Sequence, residues 1–247
     1  MNAPPAAQLR LLDLQALDAT LDRLAHRRRA LPEAAALEVL AGRLATTHDE
    51  VVRAETDVSD LTGEQDRIET DVQVVRTRMA RDQERLDTGQ VGNPRELENL
   101  QSEVVSLRRR QGDLEDKELE VMERREEAEH RLATLRARHA ELLAEEADLR
   151  SRRDQAFAGI DAEASAAAAE RTPVRAEVPA DLLALYDRIR ASSGGVGAAA
   201  LQHGRCEGCR LSLSPVALNA IRAAAPDAVL RCEECSRILV RVPDSGL

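Results

Sequence analysis

The feature that most limits the possible folds of this chain is an apolar residue at every seventh position over most of its length. One series steps from Leu37 to Leu86 and a second from Leu40 to Asp82, and twelve of their fifteen positions are apolar. This heptad pattern is typical of an α-helix in a coiled coil. It resumes from Leu100 to Ala156, and upstream its phase shifts near Pro32, which predicts a skip or kink there.

Residues 87–94 (DTGQVGNP) separate the two heptad segments. Two glycines, Asn93 and Pro94 within so short a stretch predict a turn, so the two helices should pair as an antiparallel hairpin with its tip at about 87–94. One register brings six pairs of opposite charge together along the edge of the seam. They are Arg85 with Glu96, Arg78 with Glu103, Asp71 with Arg110, Glu64 with Lys117, Asp57 with Arg124, and Glu50 with Arg131. In that register Met79 lies over Leu100 and Val72 over Leu107.

The composition argues against an ordinary globular core, because aromatic residues make up 1% of the chain and charged residues 32%. We expect a mostly α protein, with a long antiparallel coiled-coil hairpin over residues 1–170. A small zinc-ribbon domain with short β-strands should follow over residues 171–247. The N-terminal sequence does not resemble a signal peptide and no stretch is apolar enough to span a membrane. We therefore expect a cytoplasmic protein without a membrane partner.

The C-terminal quarter contains several short elements. Pro173 and Pro179 should break the preceding helix, and residues 181–190 (DLLALYDRIR) form an amphipathic pattern that predicts a short helix. Brief strands are expected around residues 198–202, 229–232 and 237–242. Ser214 followed by Pro215 is a helix-start signal, which predicts a helical insert between the two cysteine pairs.

All four cysteines of the chain lie in two C-x-x-C pairs, Cys206 with Cys209 and Cys232 with Cys235. Two such pairs predict one tetrahedral Zn²⁺ with four thiolate ligands. Four ligands leave no position for water, so the metal should be structural. The alternatives are a redox dithiol or free cysteines, but one pair is sufficient for redox chemistry.

The segments NPREL (93–97), YDRIR (186–190), CEGC (206–209) and CEECSRIL (232–239) together resemble a bacterial coiled-coil family with a C-terminal zinc ribbon of the four-cysteine type. That family has no assigned function. The resemblance covers nearly the whole chain and implies that the four cysteines bind zinc and that residues 93–97 form the hairpin tip. It also implies an adaptor or nucleic-acid-binding role, without an established reaction. Ser236 stands where the family commonly has glycine.

The sequence bears on three classes of function. A non-catalytic adaptor would bind a protein partner through the hairpin arm or the ribbon. Polar residues along the second helix, such as Gln111 and Glu118, could admit a partner helix or a second copy, or simply limit association, so monomer and homodimer remain open. The alternative is RNA or DNA binding through the ribbon, although the net charge is −10. No motif of an enzyme is present. The candidate partner-binding residues are Asn93, Arg95, Glu96, Arg205, Arg210, Arg231, Arg237 and Arg241.

Overall fold

The computed structural model describes residues 1–247 and contains five α-helices and four β-strands. The helices and strands are, in chain order, α1 (Pro5–Arg29), α2 (Pro32–Asp87), α3 (Pro94–Ala176), α4 (Ala180–Ser192), β1 (Ala198–Gln202), β2 (Arg205–Cys206), α5 (Pro215–Ala223), β3 (Leu230–Arg231) and β4 (Ile238–Arg241). The chain forms two compact units. Residues 36–149 make up one unit, and residues 1–35 together with 150–247 make up the other. The mostly α fold, with a long helical hairpin and a small domain of short strands, is confirmed.

The hairpin tip lies where the sequence predicts it, between the end of α2 at Asp87 and the start of α3 at Pro94. The side-chain Oδ1 of Asn93 accepts a hydrogen bond from the backbone N–H of Glu96 at 2.8 Å. The Glu96 carboxylate in turn accepts from the N–H of Gly92 at 3.3 Å. These bonds satisfy N–H groups that have no partner within the helix.

Apolar side chains at heptad positions form the seam between α2 and α3. Val72, Val75 and Leu114 are buried together, with Ile68 and Leu107 packed at the edge of the cluster. Val72 thus shares its cluster with Leu107, its predicted partner, which is partly buried, and with the buried Leu114, one heptad farther along α3. A shift of one heptad returns the same faces to the seam, so the repeat itself permits both registers.

The ion pairs across the hairpin agree with the prediction near the tip and depart from it farther away. Two of the six predicted pairs form, Arg85 with Glu96 at 3.1 Å and Arg78 with Glu103. Farther from the tip, Glu64 pairs with Arg124 at 3.6 Å instead of with Lys117. The other three predicted pairs do not form. Exposed pairs contribute only about 0.2–1 kcal/mol each, so burial of the apolar layers decides the register.

The helix α3 extends farther than the sequence predicts. It runs through Pro173 and ends at Ala176, so the first of the two prolines does not break it. Proline removes only one backbone donor, and the alanine-rich segment before it favours helix. In the last turn of α3, the Arg175 guanidinium donates two hydrogen bonds to the carboxylate of Asp187 in α4, at 3.2 and 2.7 Å.

The second unit is built on a four-stranded sheet with strand order β2-β1-β4-β3. Strands β1 and β4 are parallel, and each also pairs with a short antiparallel strand, β2 or β3, that includes or directly precedes the first cysteine of one pair. The helices α1 and α4 share a core with this sheet, in which Leu11, Leu14, Leu182, Tyr186 and Ile238 are fully buried or nearly so. The predicted short helix (α4), the three predicted strands (β1, β3 and β4) and the predicted helical insert (α5) are all present.

The first residues of the chain also belong to this unit. The N–H of Ala3 donates to the carbonyl of Asp227 at 2.7 Å, and the N–H of Val229 donates to the carbonyl of Met1 at 3.1 Å. No pattern in the sequence predicts this packing of the N-terminus with the ribbon.

Candidate metal centre

The two cysteine pairs form equivalent turns, referred to below as the two knuckles (residues 206–210 and 232–236). In the first, the N–H of Arg210 donates to the carbonyl of Cys206 at 2.7 Å. In the second, the N–H of Ser236 donates to the carbonyl of Cys232 at 2.9 Å. Arg210 and Ser236 have φ values of 62° and 59°, in the left-handed region that favours glycine. Both knuckles therefore hold their last residue in a conformation that side chains rarely adopt.

The four sulfur atoms meet between the knuckles. All four Sγ atoms lie within 4.8 Å of one another. Across the knuckles, Cys206 Sγ lies 3.9 Å from Cys235 Sγ, and Cys209 Sγ lies 3.8 Å from Cys232 Sγ. A tetrahedral zinc ion with Zn–S bonds of about 2.3 Å requires sulfur atoms about 3.8 Å apart. The donor set and its spacing therefore fit one zinc ion held by four thiolates.

The metal centre lies on one side of a small apolar cluster. Leu201, Leu213, Ile221 and Leu239 are buried with Cys206 and Cys232. Gly208 packs closely against its neighbours, because an added Cβ would lie 2.8 Å from Arg237 Cδ and 3.0 Å from Ala199 Cβ. A larger residue there would have to displace the Arg237 side chain.

The thiol groups differ in their acidity when no metal is bound. Burial raises the pKa of Cys206 to about 12, and burial likewise raises the pKa of Cys232. Burial also opposes ionisation of Cys235, but donors from the backbone and guanidinium of Arg237 outweigh it and lower the pKa of Cys235 to about 7. Zinc binding must therefore displace protons, and Cys235 is the ligand that ionises most easily.

Most of the candidate arginines of the ribbon hold its backbone. Arg205 donates to the carbonyl of Arg210 at 2.8 Å, and Arg231 donates to that of Ser236 at 2.9 Å, so the two knuckles are braced in the same way. The repeated segments RCEGCR and RCEECS carry this relationship in the sequence. These contacts give the arginines a structural role, and their part in partner binding stays a prediction.

The other two engaged arginines connect more distant parts of the unit. Arg237 donates to the carbonyls of Val196 at 3.1 Å and Ser193 at 2.8 Å, and Arg241 donates to that of Ala225 at 3.0 Å. Arg210 is exposed. At the hairpin tip Arg95 is exposed too, whereas Asn93 and Glu96 cap the start of α3.

A buried polar network supports the ribbon and was missed by the sequence analysis. The hydroxyl of Tyr186 donates to the carboxylate of Asp18 at 2.6 Å, and Arg171 Nε lies 2.5 Å from the same carboxylate. Gln15 accepts from the N–H of Gly197 at 2.7 Å. Asp18 and Gln15 interrupt the apolar positions of α1, which is the signal that could have identified them. The network joins α1, α4 and the start of β1.

None of the helices combines the length and the apolar character that a membrane span requires.

Comparison with known families identifies both parts of the chain. Residues 14–194 match the CT398-like coiled coil hairpin domain. Residues 205–239, which include all four cysteines, match the C4-type zinc ribbon domain.

Similar proteins occur in mycobacteria. An uncharacterized protein of Mycobacterium tuberculosis is 40% identical over 242 residues, which cover 98% of each chain. An uncharacterized protein of Mycobacterium leprae is 29% identical over 90% of this chain and 95% of its own length. A solved structure from Mycobacterium smegmatis superposes with a TM-score of 0.85 at 33% identity and covers 98% of this chain and all of that one. CT398 from Chlamydia trachomatis shares the fold at a TM-score of 0.66 and 20% identity, over 96% of this chain and 98% of its own.

Proposed function

Because this chain belongs to the CT398-like coiled-coil hairpin family and carries a C4-type zinc ribbon, we propose that it is a non-catalytic adaptor that binds a protein partner through the ribbon. In this proposal the hairpin acts as an arm, and one zinc ion holds the ribbon in shape. The protein acts in the cytoplasm, where a reducing environment keeps the four thiols available for zinc.

The coordination of the metal supports a structural role. Four cysteine ligands fill the tetrahedral shell of zinc, so the ion has no open position at which to activate water or polarise a substrate. The ribbon has little apolar surface of its own to bury, and small domains of this kind commonly depend on a metal cross-link for stability.

The observation that carries the proposal is the exposure of two large apolar side chains on the ribbon. Leu211 is 51% exposed and Val216 is 78% exposed, and in the sequence they precede and follow Ser214, the residue that caps α5. The centre of a protein–protein interface is apolar and poor in charge. These two side chains are therefore suited to the centre of a protein interface.

Nucleic-acid binding through the ribbon is the alternative that must be tested against this proposal. Phosphate contacts require cationic groups that can reach the backbone of the nucleic acid. Arg205, Arg231, Arg237 and Arg241 each donate to a backbone carbonyl of the ribbon, which favours a protein partner.

The test is an affinity capture from the native cytoplasm, with and without nuclease. The bait is the full chain, either unchanged or with Leu211→Glu and Val216→Glu, substitutions that spare the zinc ligands. Val39→Glu is the matched control, because Val39 is 69% exposed on the hairpin. Each bait is checked for one bound zinc and for unchanged helical content.

A protein that survives nuclease treatment, is kept by the control and is lost with the ribbon variant would support the proposal. Recovery of RNA or DNA, with all proteins lost after nuclease treatment, would overturn it in favour of nucleic-acid binding. A partner that the ribbon variant still captures would place the docking surface elsewhere and also contradict the proposal.

A further inference from the structure

Two histidines face each other across the coiled-coil hairpin, far along the sequence from the cysteines. His48 lies on α2 and His139 on α3, and their ring centroids are 5.8 Å apart with an angle of 42° between the ring planes. No hydrogen bond or ion pair ties either imidazole to a third residue. Both rings therefore keep their nitrogen atoms available as ligands.

The separation of the rings matches that of two imidazoles bound to one metal ion. With a metal–nitrogen bond of about 2.0–2.1 Å and about 1.1 Å from nitrogen to the ring centre, each centroid would lie about 3.2 Å from the metal. Two rings at the tetrahedral angle would then have centroids about 5.2 Å apart, and two rings on opposite sides of the metal about 6.4 Å. The observed 5.8 Å lies between these values.

The surroundings leave the histidine pair open to a metal ion. His48 is exposed and His139 half-buried, so solvent reaches the pair. Thr47, buried beside it, donates to the carbonyl of Arg43 at 2.9 Å and does not bond either ring. The Arg43 guanidinium lies 3.5 Å from the Glu145 carboxylate, so its charge is already compensated.

We propose that His48 and His139 form a second metal site, which binds Zn²⁺ or a similar divalent transition-metal ion through two imidazoles, with water completing the coordination. Neutral imidazole is a preferred ligand of zinc, copper and nickel. Two protein ligands make this site weaker than the four-thiolate centre. A metal bound there joins α2 to α3 and stabilises the hairpin, because the unfolded chain does not hold the two rings together.

The test uses the full-length protein with its ribbon already saturated with one equivalent of zinc. Further Zn²⁺ is added in a calorimetric titration, and the ring signals of the histidines are followed by NMR. The variants are His48→Ala and His139→Ala, with His130→Ala as the matched control because His130 is exposed on α3. Circular dichroism verifies that each variant keeps its helices.

We expect one further equivalent of zinc to bind to the wild-type protein and to the His130→Ala control, with binding at least about tenfold weaker in either site variant. In the wild-type protein, the ring signals of His48 and His139 should shift together. Absence of a second binding event would overturn the proposal. So would a second event that both site variants retain, since it would then arise from other groups such as carboxylates.

Discussion

The buried hydroxyl of Tyr186 allows a test of what stabilises the compact unit formed by residues 1–35 and 150–247. The side chain is fully buried, and its hydroxyl donates to Asp18, which is 2% exposed, at 2.6 Å. Burial raises the pKa of Tyr186 well above its ordinary value, and the bond to Asp18 adds to this, so the hydroxyl stays a donor. We predict that Tyr186→Phe destabilises this unit while leaving the packing of the ring unchanged.

The magnitude follows from the type of bond that is lost. A hydrogen bond to a charged group contributes about 1.5–3 kcal/mol, and Phe leaves no cavity that would add to this cost. Asp18 would keep its ion pair with Arg171, whose Nε lies 2.5 Å away, so its buried charge would still have a partner. Losing this stabilisation corresponds to an increase of about 10–150-fold in the equilibrium constant for local unfolding of the unit.

The assay is amide hydrogen exchange at Gly197, whose buried N–H donates to Gln15 at 2.7 Å. Exchange of the Gly197 amide hydrogen should accelerate by this factor of about 10–150, whereas exchange of the Val72 amide hydrogen, in the other compact unit, should not change. In an Asp18→Asn background the same substitution should cost less, because the bond then involves a neutral acceptor. An acceleration of less than about threefold at Gly197 would refute the reasoning, since the hydroxyl would then contribute under about 0.7 kcal/mol.

Three other substitutions or conditions test the ribbon, the hairpin and the metal centre in turn. Gly208→Ala should destabilise the ribbon by about 1–3 kcal/mol, because its Cβ would lie 2.8 Å from Arg237 Cδ; an unchanged thermal unfolding temperature would contradict this. Asp82→Leu should stabilise the hairpin by about 1–3 kcal/mol in urea unfolding, because the buried Asp82 keeps a carboxylate oxygen without a hydrogen bond. Destabilisation would show that Arg78 and Arg81, whose Nε atoms lie 3.9 and 3.8 Å from its carboxylate oxygens, compensate for its burial. Zinc should be released as the pH falls, because the raised pKa of Cys206 favours its protonated form; a zinc affinity independent of pH, measured with a competing chelator, would refute this.

Much of the architecture follows from local sequence patterns. The heptad repeat and the residues at 87–94 predict the two long helices and the turn, because both depend on neighbours within about seven positions. The spacing of the four cysteines predicts the zinc centre for a similar reason. Each pair forms its own turn, and the bonds within both turns are alike. Helix α3 departs from prediction at Pro173, where the loss of a single donor near the helix end is tolerated.

The register of the hairpin and the support of the ribbon depend on the tertiary structure. A heptad repeat looks the same after a shift of seven residues, so only the burial of particular layers, such as Val72 with Leu114, selects one register. Tyr186 and Asp18 are 168 positions apart, and no local pattern links them. His48 and His139 likewise meet only because α2 and α3 pair in the register observed. The sequence by itself determined which elements form and which residues can bind zinc. Which distant side chains meet was decided by the packing that buries them.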